Sequence, residues 1–146
     1  MSTRISVIIP TRERGKYLSE SLKTVTKVND ENIEIVVSDN ASVDNTKEIV
    51  ENAKDNRIRY FNTGKRVSMR QNFEFALEHS TGDYVIFFGD DDGLVPGQFP
   101  ILRHLIEHEK PDAFSWYLPT FGWPTESKNS KEGGVRLLRK GCFGAP

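Results

Sequence analysis

Asp90, Asp91 and Asp92 are the residues whose types and spacing point most directly to chemistry. Adjacent carboxylates repel, and the run is tolerated only where water, protons or a cation offsets the charge. Carboxylate oxygens suit hard ions such as Mg²⁺ or Mn²⁺, which use one or two carboxylates and complete their shell with phosphate oxygens. Spacing alone leaves two readings level: a metal and diphosphate site, or an acidic turn capping the next helix. The preceding residues favour the first. Tyr84-Val85-Ile86-Phe87-Phe88 is almost wholly apolar and reads as a central strand covered on both faces. A buried strand that delivers three charges to a sheet edge is a costly arrangement without a ligand.

Other candidates are weaker one by one. Asp39 can accept a hydrogen bond from a base N–H or a ribose hydroxyl, or simply form an Asx turn or a helix cap. Thr11 is a turn residue or a pocket residue. Arg12, Arg14, Lys65, Arg66 and Arg70 can reach a diphosphate, although surface cations are usually solvated. Arg70 is the best placed of these because it opens a helix, and Asn72, in the same helix, either bonds a ligand or faces water. Trp116 falls in a strand pattern, as core would; Trp123, between Gly122 and Pro124, reads as exposed. His79, His104 and His108 have no evident metal-ligand partner and read as surface.

These residues need elements to position them. Ile5–Ile9 is a short β-branched strand stopped by Pro10. Leu18, Leu22 and Val25 recur at helical spacing between Lys16 and about Val28. Ile33–Ser38 is a second strand, followed by a helix carrying Ile49, Val50 and Ala53 that Ser42 or Asp44 would cap. Ile58–Phe61 is a third strand, and Met69–His79 a helix with Phe73, Ala76 and Leu77 inward. The apolar strand and the triplet come next, then a helix over Gly97–Glu109 and a fifth strand over Ala113–Tyr117. Alternating strands and helices imply right-handed β-α-β units and a mostly parallel, doubly wound sheet. Ligands of such sheets bind at the carboxyl ends of the strands, where Thr11, Asp39 and the triplet all fall.

A length of 146 residues suits one domain. The regular pattern ends near Pro119, so residues 1–118 read as the ligand-binding domain and 119–146 as an irregular tail or incomplete subdomain. A net charge of −1 gives no electrostatic case for a nucleic-acid partner. One cysteine, Cys142, excludes an internal disulfide framework and fits a reducing compartment. The expectation is a cytoplasmic protein, with peripheral association at the cytoplasmic face of a membrane left open. A dinucleotide-dependent oxidoreductase needs G-x-G-x-x-G after the first strand. Pro10-Thr11-Arg12-Glu13-Arg14-Gly15 lacks the first two glycines.

Three segments together resemble family 2 of the glycosyltransferases: Ile5–Thr11, Glu34–Thr46 with Ser38-Asp39-Asn40-Ala41-Ser42, and Gly82–Pro96 with the aspartates where that family has its D-x-D motif. The resemblance covers about residues 4 to 117. It implies the GT-A fold, a Rossmann-like, mostly parallel sheet flanked by helices, with the acceptor half truncated. It implies transfer of a sugar, usually with inversion, from a UDP-, GDP- or dTDP-sugar with Mg²⁺ or Mn²⁺, as in cell-envelope polysaccharide synthesis. The partners it implies are a nucleotide-sugar donor, UDP-linked first, and a saccharide or lipid-linked acceptor. Carried over by position, Pro10, Thr11 and Arg14 would line the nucleotide pocket, and Asp39 would contact the base. Asp90 and Asp91 would lie near ribose and phosphates, Asp92 with Asp90 would hold the metal, Arg70 would help with the diphosphate, and Asn72, matching an asparagine often seen in the helix before the metal motif, would bind the donor. An inverting enzyme also needs a general base for the acceptor hydroxyl. The family draws it from a later acidic motif, which Asp112, Glu126 and Glu132 do not match. The alternative is therefore a noncatalytic nucleotide-sugar-binding fragment or assembly module.

Overall fold

The computed structural model describes residues 3–113. Contacts divide the chain into two units, Met1–Lys110 and Pro111–Pro146, and the fold described is that of the first. The expected fifth strand beyond Ala113, the tail 119–146, Trp116, Trp123 and Cys142 lie outside the described residues; Ala113 itself is not in a strand.

The elements alternate as the hydrophobic pattern requires: β1 (Ile5–Thr11), α1 (Gly15–Val25), β2 (Ile33–Asp39), α2 (Thr46–Asn52), β3 (Ile58–Asn62), α3 (Met69–Glu78), β4 (Tyr84–Phe87) and α4 (Phe99–Glu109). The strands form one parallel sheet in the order β3-β2-β1-β4. Period-two alternation sends Ile5, Val7, Ile9, Ile33, Ile35, Val37 and Ile86 into one core with Leu18, Leu22 and Val25 of α1 and Phe99 and Ile106 of α4. Full burial of each such side chain contributes about 1.5–3 kcal/mol. Ile8 and Val36 point the other way, against Ala76 of α3. Helices on both faces make the sheet doubly wound and leave β2 buried along its whole length.

Ser68 caps α3 through a reciprocal pair with Gln71: its Oγ accepts from the Gln71 N–H at 3.2 Å, and its own N–H donates to Gln71 Oε1 at 3.0 Å. Of the two residues expected to cap α2, Asp44 accepts from the Thr46 N–H at 3.1 Å, one residue ahead of the N-cap Asn45. Ser42 instead accepts from the Glu13 N–H at 2.8 Å and so ties two loops together.

Four expectations are corrected. Pro10 does not stop β1, which continues to Thr11. The Ile8 carbonyl accepts from Phe88 and the Thr11 carbonyl from Asn40, so even-numbered residues of β1 bond toward β4 and odd-numbered ones toward β2. The N–H that Pro10 lacks therefore belongs on the β4 side, past the end of β4 at Phe87, where the ladder does not need it. Second, β4 is an edge strand among the described residues, not a central one. Phe87 is exposed and tilts against the Phe73 ring, 5.8 Å away between centroids. Third, Leu77 is exposed because Asn72 and Ala76, four apart, take the inward line of α3. Fourth, His79 is half-buried, its ring 4.3 Å from that of Phe61 and 4.2 Å from that of Phe75, centroid to centroid. His104 and His108 are exposed, as expected.

Candidate functional site

The strand order reverses at β1, with β2 and β3 to one side and β4 to the other. Such a reversal opens a crevice at the carboxyl ends of the strands. Thr11 ends β1, Asp39 ends β2, and Asp90 stands three residues beyond β4. Each continues the parity that points its strand neighbours into the larger core, so each turns inward: Thr11 is 3%, Asp39 1% and Asp90 6% exposed.

Thr11 and Asp90 meet across the reversal. The Thr11 hydroxyl donates to Asp90 Oδ2 at 2.7 Å. The Arg14 guanidinium lies over the other side of the triplet, with Nε 3.3 Å from Asp90 Oδ1 and Nη2 donating to Asp91 Oδ2 at 2.6 Å. Burial pushes the Asp90 pKa up; the Thr11 hydroxyl and the Arg14 charge pull against that, and Asp91 and Asp92 add to it. Burial alone would lower the Arg14 pKa, but the hydrogen bond to Asp91 and the charges of Asp90 and Asp91 leave it raised. Asp91 and Asp92 are exposed. Asp92 folds back, Oδ2 accepting from the Gly89 N–H at 3.0 Å. A Cβ on residue 89 would stand 2.7 Å from that same oxygen, so a side chain there would push the Asp92 carboxylate out of this position.

Asp39 anchors the opposite side. Its Oδ2 accepts from the Tyr60 hydroxyl at 2.6 Å and from Asn62 Nδ2 at 3.0 Å, and its Oδ1 from the Ser42 N–H at 3.0 Å. Burial pushes the Tyr60 pKa up to about 12; Asn62 opposes this and the Asp39 carboxylate adds to it. Tyr60 and Asn62 are not among the candidates that residue type singles out. Their signal was the i, i+2 spacing, which puts both on one side of β3 at its carboxyl end. Glu13 and Ala41, at φ 54° and 51°, hold the left-handed backbone that brings the first and second loops together. Arg66 pairs with Glu13 at 2.9 Å.

Asn72 does not face water. It is buried, with Oδ1 accepting from the Ser38 hydroxyl at 2.6 Å and Nδ2 donating to the Ser38 carbonyl at 3.2 Å. It therefore binds α3 to the end of β2. Arg70 is 85% exposed and pairs with Glu74 at 2.8 Å. Pro10 precedes Thr11 within β1. Arg12 and Lys65 are exposed.

Among the described residues no three carboxylates, imidazoles or thiols converge to hold a metal by themselves. Buried Asp90 beside exposed Asp91 and Asp92 offers one or two carboxylate oxygens, the donor set that suits a hard cation completing its shell with phosphate. The guanidinium already paired with it marks the place as one where positive charge is favourable.

The sequence profile of glycosyl transferase family 2 matches residues 6–140. A curated relative, the GalNAc(5)-diNAcBac-PP-undecaprenol beta-1,3-glucosyltransferase of Campylobacter jejuni, is 35% identical over 102 residues, 68% of this chain and 33% of its own. The abequosyltransferase RfbV of Salmonella typhimurium is 34% identical over 110 residues, 72% of this chain and 33% of its own. Among solved structures, S. aureus TarS 1-349 in complex with UDP-GlcNAc superposes with a TM-score of 0.66 at 25% identity, over 73% of this chain and 32% of that one. The chain spans about one third of the length of the curated relatives it matches.

Proposed function

The chain belongs to glycosyl transferase family 2 and has its GT-A fold, and from that premise we propose that it binds a nucleotide-diphosphate sugar, UDP-linked first, for transfer of the sugar with inversion. The observation that carries this reading is the Thr11–Asp90 bond at 2.7 Å, which joins the ends of two strands beneath an acidic edge at the sheet's reversal. Residues 1–118 are the donor-binding part in this reading, and 119–146 an irregular tail or incomplete acceptor subdomain.

The residues divide the donor between them. Asp39, held by Tyr60, Asn62 and Ser42, accepts an N–H of the base. Pro10 and Thr11 line the nucleotide pocket beside it, and Asn72 fixes the β2 end through Ser38. Asp92 and Asp90 would hold Mg²⁺ or Mn²⁺, with Asp91 near ribose and phosphates and Arg14 and Arg70 toward the diphosphate. The cation, when bound, supplies Lewis-acid neutralisation of the leaving diphosphate. The acceptor in this reading is a saccharide or lipid-linked saccharide, a class supported by the undecaprenol-linked substrate in the name of the Campylobacter jejuni relative. Such an acceptor would put the protein at the cytoplasmic face of a membrane, in cell-envelope polysaccharide synthesis. No helix among the described residues is long and apolar enough to cross a membrane, and this reading requires none.

Thermal denaturation with UDP-, GDP- and dTDP-sugars, with and without Mn²⁺, tests the reading. A ligand at one hundred times its Kd stabilises by about 2.7 kcal/mol, a rise of roughly 5 °C or more for a domain of this size. The UDP-sugar with Mn²⁺ should give that rise, and Asp92→Ala should remove its metal-dependent part. No rise with any of the three would refute the proposal.

A further inference from the structure

Arg14 stands on the carboxylates that the proposed reading assigns to the cation. Its Nη2 donates to Asp91 Oδ2 at 2.6 Å, and its Nε lies 3.3 Å from Asp90 Oδ1. A guanidinium and a divalent cation cannot share those oxygens without strong like-charge repulsion. The Nε contact is an ion pair without hydrogen-bond geometry, so this N–H, screened from water, has no hydrogen-bond partner. A buried donor left unsatisfied is costly, and an arriving anionic oxygen would satisfy it. Nor is the side chain locked. It is 42% exposed, and its guanidinium also lies 4.8 Å over the Tyr17 ring, a contact that needs neither carboxylate.

We propose that Arg14 is a built-in counter-ion for the acidic triplet: in the donor-free protein its guanidinium occupies the cation's place, and the metal and diphosphate enter by exchange, Arg14 passing from Asp90 and Asp91 to the diphosphate. This rests on the reading of the triplet as the cation site. It makes the two ligands interdependent. Metal alone must displace a fixed positive charge, whereas a diphosphate draws that charge away and opens the carboxylates. Nucleotide and metal therefore bind with positive coupling, by the same factor in both directions.

The experiment is a Mn²⁺ titration, followed by the paramagnetic signal of the free ion, of the wild type and of Arg14→Gln, each with and without UDP. Arg14→Gln should bind Mn²⁺ alone about tenfold more tightly than wild type, and UDP should then improve its Mn²⁺ affinity less than it does for wild type. Arg14→Lys, which keeps the charge, should bind Mn²⁺ alone as weakly as wild type. Arg14→Met gives the same comparison through a second neutral side chain should Arg14→Gln unfold. A neutral variant that melts like wild type and binds Mn²⁺ alone no more tightly overturns the proposal, as does unchanged coupling to UDP. Failure of the wild type to bind UDP at any Mn²⁺ concentration refutes the donor reading instead, and the Mn²⁺-only comparison still decides the role of Arg14.

Discussion

Glu34→Gln should cost about 3 kcal/mol of stability at neutral pH and nothing in strong acid. Glu34 is 1% exposed in the middle of the sheet and has four partners. Ser6 Oγ donates to it at 2.5 Å, Arg59 Nη1 at 2.7 Å and Arg4 Nη2 at 3.5 Å, and the Thr81 N–H closes the set. These ties join β1, β2, β3 and the turn before β4. Burial would raise the carboxyl's pKa, but the bonds from Ser6, Thr81 and Arg59 outweigh it and hold it down, from an ordinary 4.5 to about 2. That fall corresponds to about 3 kcal/mol. Because the folded-state value lies below the unfolded one, the stabilisation is complete above the ordinary glutamate range and is lost as pH falls from there toward 2. Urea denaturation of wild type and Glu34→Gln from pH 7 to pH 2.5 measures the difference. The gap should be about 3 kcal/mol at pH 7, should shrink to less than half by pH 3 and should fall to roughly a quarter at pH 2.5. A gap that stays constant across this range would mean that Glu34 titrates like a solvated carboxylate and that the network does not hold its charge. Asp39, five residues further along β2, lies about 17 Å away, so UDP binding by the folded variant at pH 7 should match wild type.

Two further substitutions probe the triplet directly. Thr11→Val keeps the shape but removes the hydroxyl bonded to Asp90, which should cost about 2 kcal/mol and raise the Asp90 pKa further. Mn²⁺ titrations from pH 5 to 8 should show the midpoint pH for binding moving upward, and an unmoved midpoint would release Thr11 from that role. Gly89→Ala puts a methyl group 2.7 Å from Asp92 Oδ2, where that oxygen returns to the residue 89 N–H. Mn²⁺ affinity should fall on the order of tenfold, with an unchanged affinity counting against Asp92 as a ligand.

Local patterns in the sequence determine much of this protein. Branched alternation in Ile5–Ile9 and Ile33–Val37, the helical recurrence of Leu18, Leu22 and Val25, and the Ser68–Gln71 capping pair each act within a few residues, so strand, helix and turn are legible without neighbours. The rule that ligands meet the carboxyl ends of parallel strands then brings Thr11, Asp39 and the triplet to one edge. Tertiary structure alone decided which groups touch. Pro10 is harmless because strand order puts its missing donor past the end of β4. Phe87, in a run apolar enough for a central strand, is exposed on a strand that forms an edge among the described residues. Tyr60 and Asn62 serve Asp39 because register sets Asp39 opposite Asn62. Arg14 lies 77 residues from Asp91 in sequence, and no periodicity announces their pairing. Hydrogen bonds and ion pairs between distant segments follow from sheet order and register, which long-range packing sets and short-range pattern does not encode.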